Sequence, residues 1–139
     1  MAELTDIKAG LQRYLTQAYK DAGFPVQVYK QPPLSVNTQP AIIPLFLEDQ
    51  VFPTSSALQS MVSLIVLVNL STNEEGWGVL DDFLSRDGDR SVDKFMRQDP
   101  TWDGEIDTCW IERITNQGVR RDFGGVYISG TLTYSWFKS

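Results

Sequence analysis

A chain of 139 residues and 15.7 kDa has the length of one domain spanning 1–139, and folding at that size buries roughly two-thirds of the surface of the unfolded chain. With 42% apolar and 22% charged residues the composition is that of a folded protein, while 12 Lys and Arg against 18 Asp and Glu leave a net charge of −6, which argues against a nucleic-acid binder that neutralises phosphates. No histidine is present, which removes imidazole bases, Ser-His-Asp and Cys-His systems and His-containing zinc sites.

From Thr5 to Ala22, Ile7, Leu11, Tyr14, Leu15, Ala18 and Tyr19 recur at helical spacing, with Thr5 as the expected N-cap and Gly23 as the residue past the C-terminus. Phe24 to Lys30 alternates as a strand, and Gln31 to Pro40, with three prolines, reads as a loop. Ala41 to Leu47 is a second strand in which Pro44 marks an edge or a bulge. After a loop at Val51 to Ser56, Ala57 to Leu70 is the longest strand. Val62, Leu64, Val66, Val68 and Leu70 face one way and Ile65 and Leu67 the other, so its centre is expected to be buried on both faces. At about 3.3 Å per residue it runs about 40 Å, so one end is expected to overhang and pair with another chain.

Glu74 to Ser85 reads as a helix with Trp77, Leu80, Phe83 and Leu84 inward, and Ser91 caps a short helix to Gln98 that Asp99-Pro100 ends. Past the Trp102-Asp103-Gly104 turn, Ile106, Thr108, Trp110, Glu112 and Ile114 alternate along a strand, with Trp110 on the face expected to point inward. Asn116 to Gly125 reads as a connection to a last strand, Val126 to Phe137, with Val126, Ile128, Leu132, Tyr134 and Trp136 on one face. The order αβββααββ predicts an α+β fold: a mostly antiparallel or mixed sheet of about five strands with helices packed on one face.

Asp81, Asp82, Asp87, Asp89 and Asp93 form the one cluster that invites a metal or acid-base reading, as in a small metal- or carboxylate-dependent hydrolase. Calcium-loop spacing is matched at only two positions, Asp81 and Asp82 point different ways on their helix, and a solvated turn is the preferred reading. Cys109, the single cysteine, lies in an apolar-flanked strand and is read as a packing residue; it needs no oxidising compartment. Gly124-Gly125 precedes a strand rather than a helix, which suits a tight turn and not a phosphate loop. No catalytic, cofactor or metal residue is assigned. The amino terminus does not resemble a secretory signal and the longest apolar run, Leu64 to Val68, is too short to span a bilayer, so cytoplasmic synthesis without a membrane is expected. Phe52, Trp102 and Phe123 fall in expected loops, where bulky rings suggest either cover by another protein or folding back over their own core, and Arg120-Arg121, the one basic pair on a loop, reads as a surface ion pair or a contact with an acidic neighbour.

The order and spacing of these elements resemble the tail terminator (tail-completion or minor tail) proteins of long-tailed bacteriophages. The likeness runs through the opening helix, the strand Pro40 to Leu47, Ser63-Leu64-Ile65-Val66-Leu67-Val68, the helix around Trp77 to Leu84, Gly88-Asp89-Arg90-Ser91-Val92 and the closing Gly124-Gly125-Val126-Tyr127-Ile128-Ser129-Gly130-Thr131-Leu132. That resemblance implies a non-enzymatic virion protein, assembled in the host cytoplasm, that forms a homohexameric ring on the head-proximal end of the tail. Such a ring stops polymerisation of the major tail tube protein and offers the docking surface for a head-completion or connector protein. The genome passes through its lumen without specific binding. The alternative within the same particle is another head-tail connector or neck protein. Phe52, Trp102, Arg120, Arg121 and Phe123 are the expected contact residues. Phe52→Ala or Arg121→Glu is expected to weaken ring formation by light scattering while the monomer stays folded.

Overall fold

A computed structural model describes residues 2–36, 40–47, 57–69 and 75–139. The Val51 to Ser56 loop, with Phe52, lies outside them, as do Leu70 and Glu74. Helix α1 (Ala2–Ala22) starts before Thr5, which sits inside the helix instead of capping it; Leu4 already packs against the core from the first turn. Ile7, Leu11, Leu15 and Tyr19 are buried at four-residue steps. The helix ends as expected on Gly23 (φ +84), with the Phe24 N–H donating to the Tyr19 carbonyl at 3.0 Å and the Gly23 N–H to that of Lys20 at 3.1 Å.

The strands are β1 (Gln27–Val28), β2 (Ala41–Phe46), β3 (Leu58–Asn69), β4 (Thr108–Asp122) and β5 (Gly125–Lys138), in the spatial order β1-β2-β3-β5-β4. Only β1 and β2 run parallel, so the sheet is mixed as expected. The Leu47 N–H donates to the Met61 carbonyl, and by alternation the odd-numbered residues of β2 turn their N–H groups toward β3. Pro44 therefore turns its donor-less nitrogen to the outer side, past the end of β1, where no hydrogen bond is lost.

β3 pairs with β5 along its whole length, from Leu58 opposite Lys138 to Asn69 opposite Tyr127, so the expected overhang does not occur. Its partner is longer than the sequence suggested, and absorbs every residue. Both faces of its centre are buried. Val62, Leu64, Val66 and Val68 join Ile128, Leu132, Tyr134 and Trp136 under all three helices, while Ile65 and Leu67 face away into a smaller cluster with Val36, Ala41, Ile43, Phe123 and Tyr127. α1, α2 (Glu75–Leu84) and α3 (Val92–Gln98) thus share one side of the sheet, and the crossover loop from β1 to β2 covers a corner of the other.

Where α2 crosses β5 the backbone is glycine: a Cβ at Gly130 would lie 2.4 Å from a methyl of the buried Leu84. Ser91 caps α3, its hydroxyl accepting from the Lys94 N–H at 3.0 Å and donating to the Arg86 carbonyl at 3.1 Å. α3 is then locked to the sheet through Asp93, 7% exposed, which accepts from the Tyr134 hydroxyl on β5 at 2.7 Å and from Arg97 Nε at 3.1 Å. Burial first, and the Asp93 carboxylate second, push the Tyr134 hydroxyl above the ordinary phenol range.

Two sequence expectations about β4 change. Residues 116–122, read as a connection, belong to the strand, and only Phe123 and Gly124 form the turn, both at positive φ (51° and 76°) as a two-residue hairpin loop demands. Irregularities between Ile111 and Arg113 and between Thr115 and Gly118 shift the register, so the simple alternation fails. Cys109 faces the core in place of Trp110, whose indole lies on the opposite face and donates to Glu112 Oε1 at 2.7 Å. Trp77, expected inward, is 37% exposed at the start of α2, whereas Leu80, Phe83 and Leu84 are buried. Replacing Asp93 by Ala removes the shared acceptor of Tyr134 and Arg97 and is expected to cost about 2–3 kcal/mol in urea unfolding, against about 1 kcal/mol for Tyr134→Phe.

Candidate functional site

The four expected contact residues that are described, Trp102, Arg120, Arg121 and Phe123, do not gather on one surface. Trp102 is fully buried, its ring 6.4 Å from both Phe46 and Trp136, and Phe123 is 9% exposed within the smaller core cluster. Both rings are covered by their own chain and are withdrawn as open contact residues. Each sits at left-handed backbone, φ 51°, directly at a tight turn that folds the ring back over the sheet. The signal for this was in the sequence: each ring stands one or two residues before a turn glycine.

The Trp102 turn is pinned by Asp99, which accepts from the Thr101 N–H at 3.0 Å, the Thr101 hydroxyl and the Asp103 N–H at 3.1 Å. Partial burial acts against the charged carboxylate, but these hydrogen bonds outweigh it and hold Asp99 below the usual carboxylate range. A carboxyl whose folded value is depressed contributes stability that is complete above its unfolded value, about 3.9, and lost as pH falls through the folded one.

Arg120 and Arg121 lie on the last stretch of β4 and point to opposite faces. Arg120 pairs with Asp122 at 3.4 Å and sits 5.6 Å over the Phe123 ring, the surface ion pair that the sequence allowed for; Arg121 is exposed. Around them lies the surface that sequence reasoning missed. β4 is the sheet edge, and among the described residues no strand pairs with its outer side. Ile111, Ile114 and Val119 stand opposite Tyr134, Leu132 and Ile128, so they share the helix-side face, and Val126 stands opposite Arg121 on the same side. Tyr134, Leu132 and Ile128 are buried beneath the helices, yet Ile111, Ile114, Val119 and Val126 are 37–55% exposed. The helices reach β3 and β5, and α3 covers only the first residues of β4. An apolar row and an open backbone edge therefore run side by side.

Three carboxylates of the acidic segment, Asp82, Asp87 and Asp93, are built into the scaffold. Asp82 accepts from the Arg90 N–H at 3.0 Å and from its guanidinium at 3.1 Å, and Asp87 takes Arg97 at 2.7 Å. The Arg97 hydrogen bond holds Asp87 below the usual carboxylate range. Among the described residues no group of three or more His, Cys, Asp or Glu side chains could hold a metal ion, and no helix is long and apolar enough to cross a membrane. A groove of about 460 Å3 lies between α1 and α3, where Tyr14 donates to the Phe95 carbonyl and is pushed up to about 12, by burial first and the charges of Asp99 and Asp103 after it. A second cavity, of about 330 Å3, opens between α3 and the start of β4. Its one carboxylate, Asp93, is already held by Tyr134 and Arg97. Cys109 lies at its floor, 8% exposed, and burial pushes the thiol up to about 12.

No protein-family model matches the chain, and no curated protein is significantly similar to it.

Two outcomes follow from the buried groups. Native protein at pH 8 is expected to react with iodoacetamide at Cys109 on the order of 100-fold more slowly than the urea-unfolded chain, because the neutral thiol is a poor nucleophile. Asp99→Ala is expected to lower stability by about 1–3 kcal/mol and to red-shift tryptophan emission as the Trp102 turn loosens.

Proposed function

We propose that this chain is a structural protein that works as copies of itself closed into a ring, in the manner of the phage tail terminators it resembles. The observation that supports this most is the uncovered β4: a 15-residue edge strand flanked by Ile111, Ile114, Val119 and Val126, apolar surface that water disfavours and a protein partner would cover. A ring needs unlike surfaces to meet head to tail, and the two sheet edges are unlike. One carries a two-residue strand followed by the donor-less Pro44, the other a long open strand.

In this reading the ring, a hexamer by the family likeness, sits at the head-proximal end of the tail, stops growth of the tube and presents a surface to a head-completion or connector protein. It makes and breaks no covalent bond. The chain's net charge of −6 suits a lumen through which a polyanion slides without being held. Within the virion the protein meets DNA only in passage.

Light scattering of the purified chain, with negative-stain imaging, is expected to show closed rings, alone or on added tail tubes. Ile114→Glu or Val119→Glu, both on exposed positions, is expected to weaken assembly at least about 10-fold with an unchanged circular-dichroism spectrum. A wild-type protein that stays monomeric at every concentration, tubes included, would overturn the reading.

A further inference from the structure

Leu34 is 99% exposed, while the next most exposed large apolar side chain among the described residues is Val119 at 55%. It does not hang on a loose tether. Pro32 and Pro33 restrict the backbone before it. Just after it, Val36 is buried, its N–H donating to the Phe123 carbonyl at 3.0 Å and its carbonyl accepting from the Tyr127 hydroxyl at 3.2 Å. Gly124 packs so closely on the loop that a Cβ there would meet that of Ser35 at 3.0 Å. A braced protrusion loses little conformational freedom on docking, which is where a flexible loop would lose affinity.

The cavity between α3 and β4 has the complementary form. Met96, Pro100, Cys109 and Ile111 give it apolar walls, and its buried carboxylate is neutralised by Tyr134 and Arg97. Arg86, with a side chain 78% exposed and Nε 4.0 Å from Asp87 Oδ2, stands at the rim. The hairpin turn that braces Leu34 carries the opposite charge in Asp122, 51% exposed and paired with Arg120. Knob and hole lie at opposite ends of β4, about 35 Å apart along the strand, so a chain cannot fill its own cavity.

We propose that Leu34 of one copy fills the α3–β4 cavity of the next, with Asp122 directed toward Arg86. Each copy then gives one knob and receives one, a head-to-tail contact that either closes or propagates. This contact rests on the self-assembly proposed above and assigns it a pair of residues.

The single native cysteine at the cavity floor provides the test. In full-length Leu34→Cys, oxidation with copper-phenanthroline and dioxygen takes two electrons and two protons from the introduced thiol and the neighbouring copy's Cys109 thiol, leaving a disulfide between copies. A reducible ladder of multimers is expected on non-reducing gels, absent in the wild type and in the Leu34→Cys, Cys109→Ser double variant. Leu34→Asp, at a site free of intramolecular packing, is expected to weaken assembly at least about 10-fold while folding normally. A ladder that stops at one closed size supports both knob and ring; one that runs on without closing supports the knob and counts against the ring. Wild-type rings with no ladder, unaffected by Leu34→Asp, overturn the knob and leave the ring standing. Monomers under every condition, without cross-linking, overturn both.

Discussion

β3 must be covered on both faces, and the rest of the fold answers to that requirement. Val62, Leu64, Val66 and Val68 on one side and Ile65 and Leu67 on the other leave no orientation in which the strand can face water. Pairing with β5 over its full length and with β2 over six residues satisfies its backbone. Three helices then cover one face, and the β1–β2 crossover together with the Phe123 turn covers the other around Ile65 and Leu67. β2 and β5 occupy the two sides of β3, and β4 pairs with the outer side of β5, which leaves it at the edge.

That placement separates β4 from the helices. Ile111, Ile114 and Val119 point to the side where their β5 neighbours are buried, yet the helix layer stops short of them. Natural edge strands are usually shortened, charged or interrupted, as β1 and Pro44 are on the far edge. β4 carries Arg113, Arg120 and Arg121 and two register shifts, which restrain indiscriminate pairing, but its apolar row remains. In the proposed ring this surface would meet a second copy, and the exposed Leu34 at one end with the α3–β4 cavity at the other would give that meeting a direction.

The charged residues of 81–99 have a different task. Asp82 with Arg90, Asp87 with Arg97, and Asp93 with Arg97 and Tyr134 tie α2, the following turn, α3 and β5 into one corner. The exposed pairs contribute little by themselves. Asp93 matters more, because a buried carboxylate without its partners would be costly. Asp82, Asp87 and Asp93, close in sequence, are spread here among separate arginines and the Tyr134 hydroxyl.

Local pattern alone determined the α+β class, the element order, α1 with its glycine stop, the Ser91 cap, the doubly buried β3 and the inward face of β5 at Ile128, Leu132, Tyr134 and Trp136. These rest on interactions a few residues long or on a periodicity that one strand or helix carries within itself. The extent of β4 was not legible, because residues 116–122 are polar apart from Gly118 and Val119 and become strand through pairing with β5. The register shifts likewise depend on the partner strand, and with them the exchange of Trp110 for Cys109 on the core face. The glycines after Trp102 and Phe123 marked their turns, but only tertiary structure decided that those rings are covered while Leu34 and the β4 row stay in water. Whether an apolar side chain is covered depends on where the helix layer ends and which turn folds back, and both are set by packing between residues far apart in the chain.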